Sequence, residues 1–211
     1  MKQAALVTLS AGLLLAWATA SGSDEGEKPE PLPAVTEVLN GGFEEGPADE
    51  PTGWRLDGNH AGSSRKAWQA RAVEVPFAGK RALRLETVPA PLKKAPAGAR
   101  MAARLRAPFT VPHGKVTFRY RVLAGPGENL FVAVIGTDAK GITVGSLGPA
   151  FKGSAGVSGD GHWHEGAVTY DRGRNPFATG AQLWIGLSGT GGAVLVDEVR
   201  LSAEPPEGEK G

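Results

Sequence analysis

The sequence predicts an all-β fold, a sandwich or barrel of short antiparallel strands. Two features carry that reading. Turn-forming glycines and prolines, 31 and 16 of them, break the chain at intervals of about ten residues. The runs between them alternate apolar and polar side chains, and no long stretch keeps the 3.6-residue period of an amphipathic helix. Candidate strands fall at 34–39, 54–57, 67–75, 80–87, 100–111, 115–123, 129–136, 141–147, 162–170, 181–188 and 193–202.

Before these strands comes a leader. Lys2 precedes an apolar run from Ala4 to Ala18, and Ala18-Thr19-Ala20 fits a small-x-small cleavage site, so residues 1–20 read as a secretory signal peptide. The run, at about fifteen residues, is shorter than the ~20 that cross a bilayer. Residues 21–33 (SGSDEGEKPEPLP) and 203–211 (AEPPEGEKG) are polar, acidic and proline-bearing, which predicts a disordered linker and a frayed tail around one domain at 34–202. Lys2 is the leader's one charged residue, so the mature chain sets 22 basic against 22 acidic residues. That balance gives no footprint for nucleic acid and no general attraction to anionic membranes. With no cysteine, the chain has neither disulfides nor a lipobox anchor. A periplasmic or secreted bacterial protein is expected.

Two turns predict local pairing. Val111-Pro112-His113-Gly114 should join 104–110 to 115–122, and Thr137-Asp138-Ala139-Lys140-Gly141 supplies Asp and Gly where a hairpin needs them. The segments 90–98 and 149–161 are the long loops.

In the last strand, alternation puts Ala193, Leu195, Asp197, Val199 and Leu201 on one face, apolar except for Asp197. A carboxylate desolvated in such a row requires a cation, or else a strand bulge where backbone N–H groups and water meet its oxygens. Near the other end, Asn40-Gly41-Gly42-Phe43-Glu44 is a glycine turn beside a carboxylate. Such a turn offers carbonyl and carboxylate oxygens, the donors that Ca²⁺ takes, though a plain turn with a solvent-facing Glu has the same sequence.

An ordered series then stands out: Asn40 to Glu44, Gly53-Trp54, Gly79 to Leu85, Val116 to Tyr120, Trp163-His164-Glu165 and Val196 to Val199. In order and spacing it resembles carbohydrate-binding modules of the family-4, family-9 and family-22 type, within the galactose-binding-like superfamily. The resemblance covers nearly all of 34–202 and implies a single jelly-roll β-sandwich of two antiparallel sheets. It also implies a structural calcium held by the Gly42 carbonyl, Glu44, the Lys80 carbonyl and Asp197. Some members add a side-chain oxygen shortly before that lysine, where this chain has Phe77-Ala78.

Sugar binding in such modules looks like aromatic rings stacked on pyranose faces, because a rigid apolar ring matches the sugar's C–H face while polar neighbours meet its hydroxyls. Leu183, Ile185 and Leu187 claim the core side of their strand, which leaves Gln182, Trp184 and Gly186 on the other. Trp68 and Phe131, the latter beside Ala133, lie in similarly mixed strands, whereas Trp54 and Trp163 are expected in the core. A second theme is arginine. Arg104 with its neighbours Arg100 and Arg106, and Arg119 with Arg121, are expected to face outward on adjacent strands, either gripping acid groups of a polysaccharide or simply solvated.

Catalytic patterns are weak. His162-Trp163-His164 puts two imidazoles on one strand face, but His60 and His113, the remaining histidines, fall in expected loops. The chain has no Gly-x-Ser-x-Gly elbow, Walker loop or His-Glu-x-x-His, and no evident carboxylate pair for glycoside hydrolysis. The sequence thus favours an exported, non-catalytic module that binds a polysaccharide or other glycan. The rival is a structural or protein-interaction sandwich that keeps the fold without the sugar groove, and two or more aromatic rings lining one concave sheet face would decide between them.

Overall fold

The computed structural model describes residues 38–57, 68–87, 100–104, 112–153, 157, 159–188 and 191–203, all within one compact unit, Leu32–Gly211. The expected signal peptide, the linker, most of the tail, the loop at 90–98, Trp17, His60 and Arg106 lie outside the described residues. No described helix is long and apolar enough to cross a membrane.

The described residues form eleven strands: β1 (Trp54–Asp57), β2 (Trp68–Val73), β3 (Ala82–Thr87), β4 (Arg100–Arg104), β5 (His113–Ala124), β6 (Leu130–Thr137), β7 (Thr143–Ser146), β8 (Phe151–Lys152), β9 (His164–Asp171), β10 (Gly180–Leu187) and β11 (Ala193–Ala203). Nine match expected strands to within a few residues at most ends. The strand expected at 100–111 is described only as far as Arg104, and β8 is new, two residues inside an expected loop. Val38 and Leu39, the described end of the strand expected at 34–39, lead into a turn instead.

Two antiparallel sheets result. Sheet I runs β1-β4-β10-β6-β7, with β8 also on β6, and sheet II runs β2-β3-β11-β5-β9. The β6–β7 hairpin is as expected, and Asp138 shapes its turn by accepting the N–H groups of Lys140 (2.9 Å) and Ile142 (2.8 Å). The other expected hairpin is corrected. β4 pairs with β1 and β10 in sheet I, while β5 pairs with β11 on one side and β9 on the other in sheet II, so Arg104 and the strand from His113 are in different sheets; residues 105–111 lie outside the described residues.

The core lies between the sheets. From sheet I come Val132, Val134, Leu183, Ile185 and Leu187, and from sheet II Leu83, Leu85, Val116, Phe118, Tyr120, Val122, Val194 and Val196. Each fully buried side chain of this size contributes roughly 1.5–3 kcal/mol, which holds the sandwich without a cysteine. Phe151 of β8 closes one end, edge-on to Phe118 (5.0 Å) and Tyr120 (5.6 Å).

β11, between β3 and β5, departs from simple alternation. Its register shifts between Asp197 and Arg200, where Glu198 takes φ of +47°. Val194 and Val196 point into the core before the shift and Val199 and Leu201 after it. The bulge moves the phase by one residue. Asp197 therefore shares its face with Leu195, and the expected grouping with Val199 and Leu201 is corrected.

Candidate functional site

On sheet I the expected face is present. Register sets Trp184 of β10 opposite Ala133 of β6, Gly186 opposite Phe131, and Gln182 opposite Ile135. Directly opposed residues share a face, and the alternate residues Leu183, Ile185, Val132 and Val134 belong to the core. Trp184, Gln182 and Phe131 thus lie on the outer face, with the two rings on a diagonal, about 7–8 Å apart at Cα. Trp184 is partly exposed and its Nε1 donates to Gln182 Oε1 (3.3 Å), which orients the indole over its own strand. Ala133 and Gly186, the small residues beside it, are both buried. On the far side, Arg104 of β4 pairs with Gln182 and Ala102 with Trp184. Trp184 and Phe131 are partly exposed, whereas Gln182, whose amide oxygen already accepts from the indole, is buried beside them.

A second constellation ties the chain's two ends. Asn40 crosslinks its own turn: Nδ2 donates to the carbonyls of Glu45 (3.0 Å) and Thr52 (3.1 Å), and Oδ1 accepts the N–H of Glu45 (3.1 Å). Phe43 is fully buried, packed on Trp54 at 4.8 Å between ring centres, and Trp54 Nε1 donates to the Asn40 carbonyl (3.0 Å). Gly41 meets β11 backbone to backbone. Its carbonyl accepts the Val199 N–H (3.1 Å), and any side chain there would strike the Val199 carbonyl.

The two carboxylates of this region grip the 77–81 segment. Glu44 Oε1 accepts the N–H groups of Lys80 (2.7 Å) and Arg81 (3.1 Å), over Gly79 at φ +70°. Asp197 Oδ2 accepts those of Phe77 (2.8 Å) and Ala78 (3.1 Å), and Oδ1 that of Glu198 (2.7 Å). Asp197 is wholly buried. Desolvation pushes its pKa up, against the three N–H bonds, and the Glu198 carboxylate adds to the rise. Of the two alternatives raised by the sequence, the described residues show the bulge: Asp197 sits at the register shift with three N–H partners, and Gly42 adjoins it.

The two carboxylates keep some acceptor capacity beyond these N–H bonds. An ionised carboxylate has about four acceptor sites, of which the described residues occupy three on Asp197 and two on Glu44. A side chain at Gly42 would lie 3.9 Å from Asp197 Oδ1 and 3.7 Å from Glu44 Cγ, so this glycine adjoins both acids. The space is a cavity of about 600 Å³ that Gly41, Gly42, Glu44, Gly79, Asp197 and Glu198 help to line. Among the described residues no three His, Cys, Asp or Glu side chains converge. A cation would therefore need main-chain oxygens such as the Gly42 and Lys80 carbonyls, as the resemblance implies.

Other expected residues lie elsewhere. Trp68 is on β2 and Arg119 on β5, both in sheet II, so neither joins Trp184, and Arg119 does not neighbour Arg104 as expected. Arg119 pairs with Glu165 (3.0 Å). Trp54 is core as expected. Trp163 is not: it is partly exposed, with Phe77 5.6 Å away. His164 Nε2 meets Asp160 Oδ2 (2.8 Å), while Asp160 Oδ1 accepts the His162 N–H (3.0 Å), which with His164 holds the Asp160 pKa below its usual value. Sequence reasoning missed the structural parts of Asn40 and Arg81. The guanidinium of Arg81 donates to the carbonyls of Glu44 (3.2 Å) and Gly46 (2.9 Å), a long-range contact with no local signature.

No family model and no curated protein matches the chain. Solved structures do. The xylan-binding CBM22-1 domain from Paenibacillus barcinonensis aligns over 82% of this chain and 97% of its own, at 17% identity and a TM-score of 0.51. The family 11 carbohydrate-binding module of a cellulosomal cellulase of Clostridium thermocellum aligns over 81% and 96%, at 11% identity and a TM-score of 0.50. The chain has the fold of carbohydrate-binding β-sandwich modules. The enzymatically active domain of bacteriophage CBA120 tailspike protein 4 shares it over 81% of this chain but 22% of its own, at 15% identity and a TM-score of 0.55.

Proposed function

We propose that this chain is an exported, non-catalytic glycan-binding module, holding a polysaccharide along the outer face of sheet I. The observation that carries the reading is the diagonal of Trp184 and Phe131 on one face, with Gln182 beside the indole and small residues between the rings. Stacked aromatic rings bind a sugar's C–H face, and an amide serves its hydroxyls. In this reading a structural calcium at Gly42, Glu44, Lys80 and Asp197 braces the fold. Its support is the convergence of two carboxylates from opposite ends of the domain, one of them buried. When bound, the cation would supply positive charge between the acids, while Asp197 and Glu44 hold the 77–81 segment through N–H bonds.

Titration calorimetry against the neutral polymers soluble xylan and mixed-linkage glucan tests the site. At least one polymer should bind, and Trp184→Ala should weaken it by about tenfold or more, since stacking plus lost area exceeds 1.4 kcal/mol. Failure of every polymer to bind, or equal binding by Trp184→Ala, would overturn the proposal.

A further inference from the structure

The outer face of sheet II carries a second aromatic platform that the reading above does not use. Phe77 lies on the 74–81 segment, which crosses this face, and is 43% exposed although its backbone N–H is fixed to Asp197. Trp163 stands edge-on to it, at 5.6 Å and 67°. Arg119 lies over the Phe77 ring, its guanidinium carbon 5.0 Å from the centroid. An exposed Phe with a pinned backbone, set against a partly exposed Trp, forms an apolar surface that can receive a flat apolar partner.

One cation of this surface stands outside its ion pairs. Arg119 is already answered by Glu165 (3.0 Å), and Arg84 by Glu86 (2.9 Å). Arg121, two residues beyond Arg119 on the same face of β5, enters no ion pair among the described residues. Its Nε is buried with no hydrogen-bond partner. A buried donor left unmet costs free energy that a ligand acceptor would recover. Gly161 beside it adds no side chain to crowd the guanidinium: a Cβ there would come 3.7 Å from Nη2. Arg119 and Arg121 stand about 7 Å apart along the strand.

We propose that the Phe77, Trp163 and Arg121 surface is a second ligand site, for an acidic saccharide bearing carboxylate or sulfate groups. The rings take the C–H face and the Arg121 fork takes the acid group, a pairing for which guanidinium geometry is suited. The site lies on the opposite sheet from Trp184, so it stands or falls independently of the sheet I reading.

The test is affinity electrophoresis and calorimetry of the full chain with polygalacturonate, dextran sulfate and neutral dextran, and with poly-glutamate as a non-saccharide anion. Polygalacturonate or dextran sulfate should bind and weaken with added salt, and the one that binds names the acid group. Arg121→Gln and Phe77→Ala should each reduce that binding about tenfold or more, while Trp184→Ala leaves it unchanged. Phe77→Ala keeps the backbone bonds to Asp197, so it preserves the fold. The proposal is overturned if neither acidic polymer binds, if both variants bind like the parent, or if poly-glutamate binds as well as the saccharides.

Discussion

Replacing Asp197 gives the most direct measure of what joins the sandwich's last strand to the 77–81 segment. In Asp197→Ala the N–H groups of Phe77, Ala78 and Glu198 lose their acceptor together. Hydrogen bonds to a charged group are worth about 1.5–3 kcal/mol each, which bounds the gross loss at roughly 4.5–9 kcal/mol. Water reaching the partly buried donors, and relief of the carboxylate's own desolvation, offset part of it. The net cost should be about 3–5 kcal/mol, in the range for removing one member of a buried charged network. For a domain of this size that lowers the melting temperature by about 6–20 °C. Asp197→Asn retains one acceptor oxygen, so the paired donors Phe77 and Ala78 can keep theirs while Glu198 loses its own. The expected cost is about 1–3 kcal/mol. Urea and thermal unfolding in excess chelator separate this effect from any cation, and amide exchange should show lost protection at Phe77, Ala78 and Glu198. An Asp197→Asn protein as stable as the parent, or an Asp197→Ala protein within ~1 kcal/mol of it, would refute the reasoning.

Calcium should stabilise the parent. A site of the extracellular class, with Kd of about 10⁻⁴–10⁻³ M, gives on the order of 0.4–1.4 kcal/mol at millimolar ion, so a melting temperature indifferent to both calcium and chelator counts against a bound cation. Gly166→Ala should cost about 1–3 kcal/mol, because an added Cβ overlaps the Phe118 ring, itself held by Tyr120 and Phe151; an unchanged urea midpoint would show that ring to be free to move. Burial pushes the Tyr170 phenol up to about 12, against a smaller pull from Arg172. A raised folded pKa favours the neutral form, so this contribution is complete below pH 10 and is lost as pH rises through 12. Phenolate absorbance at 295 nm should put one of the two tyrosines near 12, and Tyr170→Phe should remove that step.

Much of the fold was legible because one-sided burial writes itself into alternation. In β5 every second residue from Val116 to Val122 is buried, and in β10 the core side and Trp184's side separate by the same rule. The meeting of Asn40 to Glu44, Gly79-Lys80 and Asp197 was legible from an ordered series, since no single motif is specific. Sheet membership was not. A tight turn between two strand-like runs reads the same whether the chain folds back on itself or passes to the facing sheet, and that ambiguity misplaced Arg119 beside Arg104. Trp163 was misread because a bulky ring at a strand start suits the core as well as an outer face, and its partner Phe77 lies 86 residues away in sequence.

The bulge at Asp197 had left a trace in the sequence. Val194 and Val196 alternate, and Val199 and Leu201 alternate, but two residues, Asp197 and Glu198, separate the two pairs. Unbroken alternation from Val196 would send Glu198 and Arg200 into the core and turn Val199 and Leu201 out to solvent. Burying an ion pair's worth of charge costs several kcal/mol per ion, far more than one residue in the left-handed region. The chain takes the bulge, Glu198 and Arg200 pair on the surface at 2.7 Å, and the Asp197 carboxylate holds the Glu198 N–H across the kink. The same carboxylate then faces outward beneath the 74–81 segment, where it fixes Phe77 and Ala78. Asp197 is an acid in a buried row because the strand must change phase there, and the position that changes phase is also the one that can reach the crossing loop.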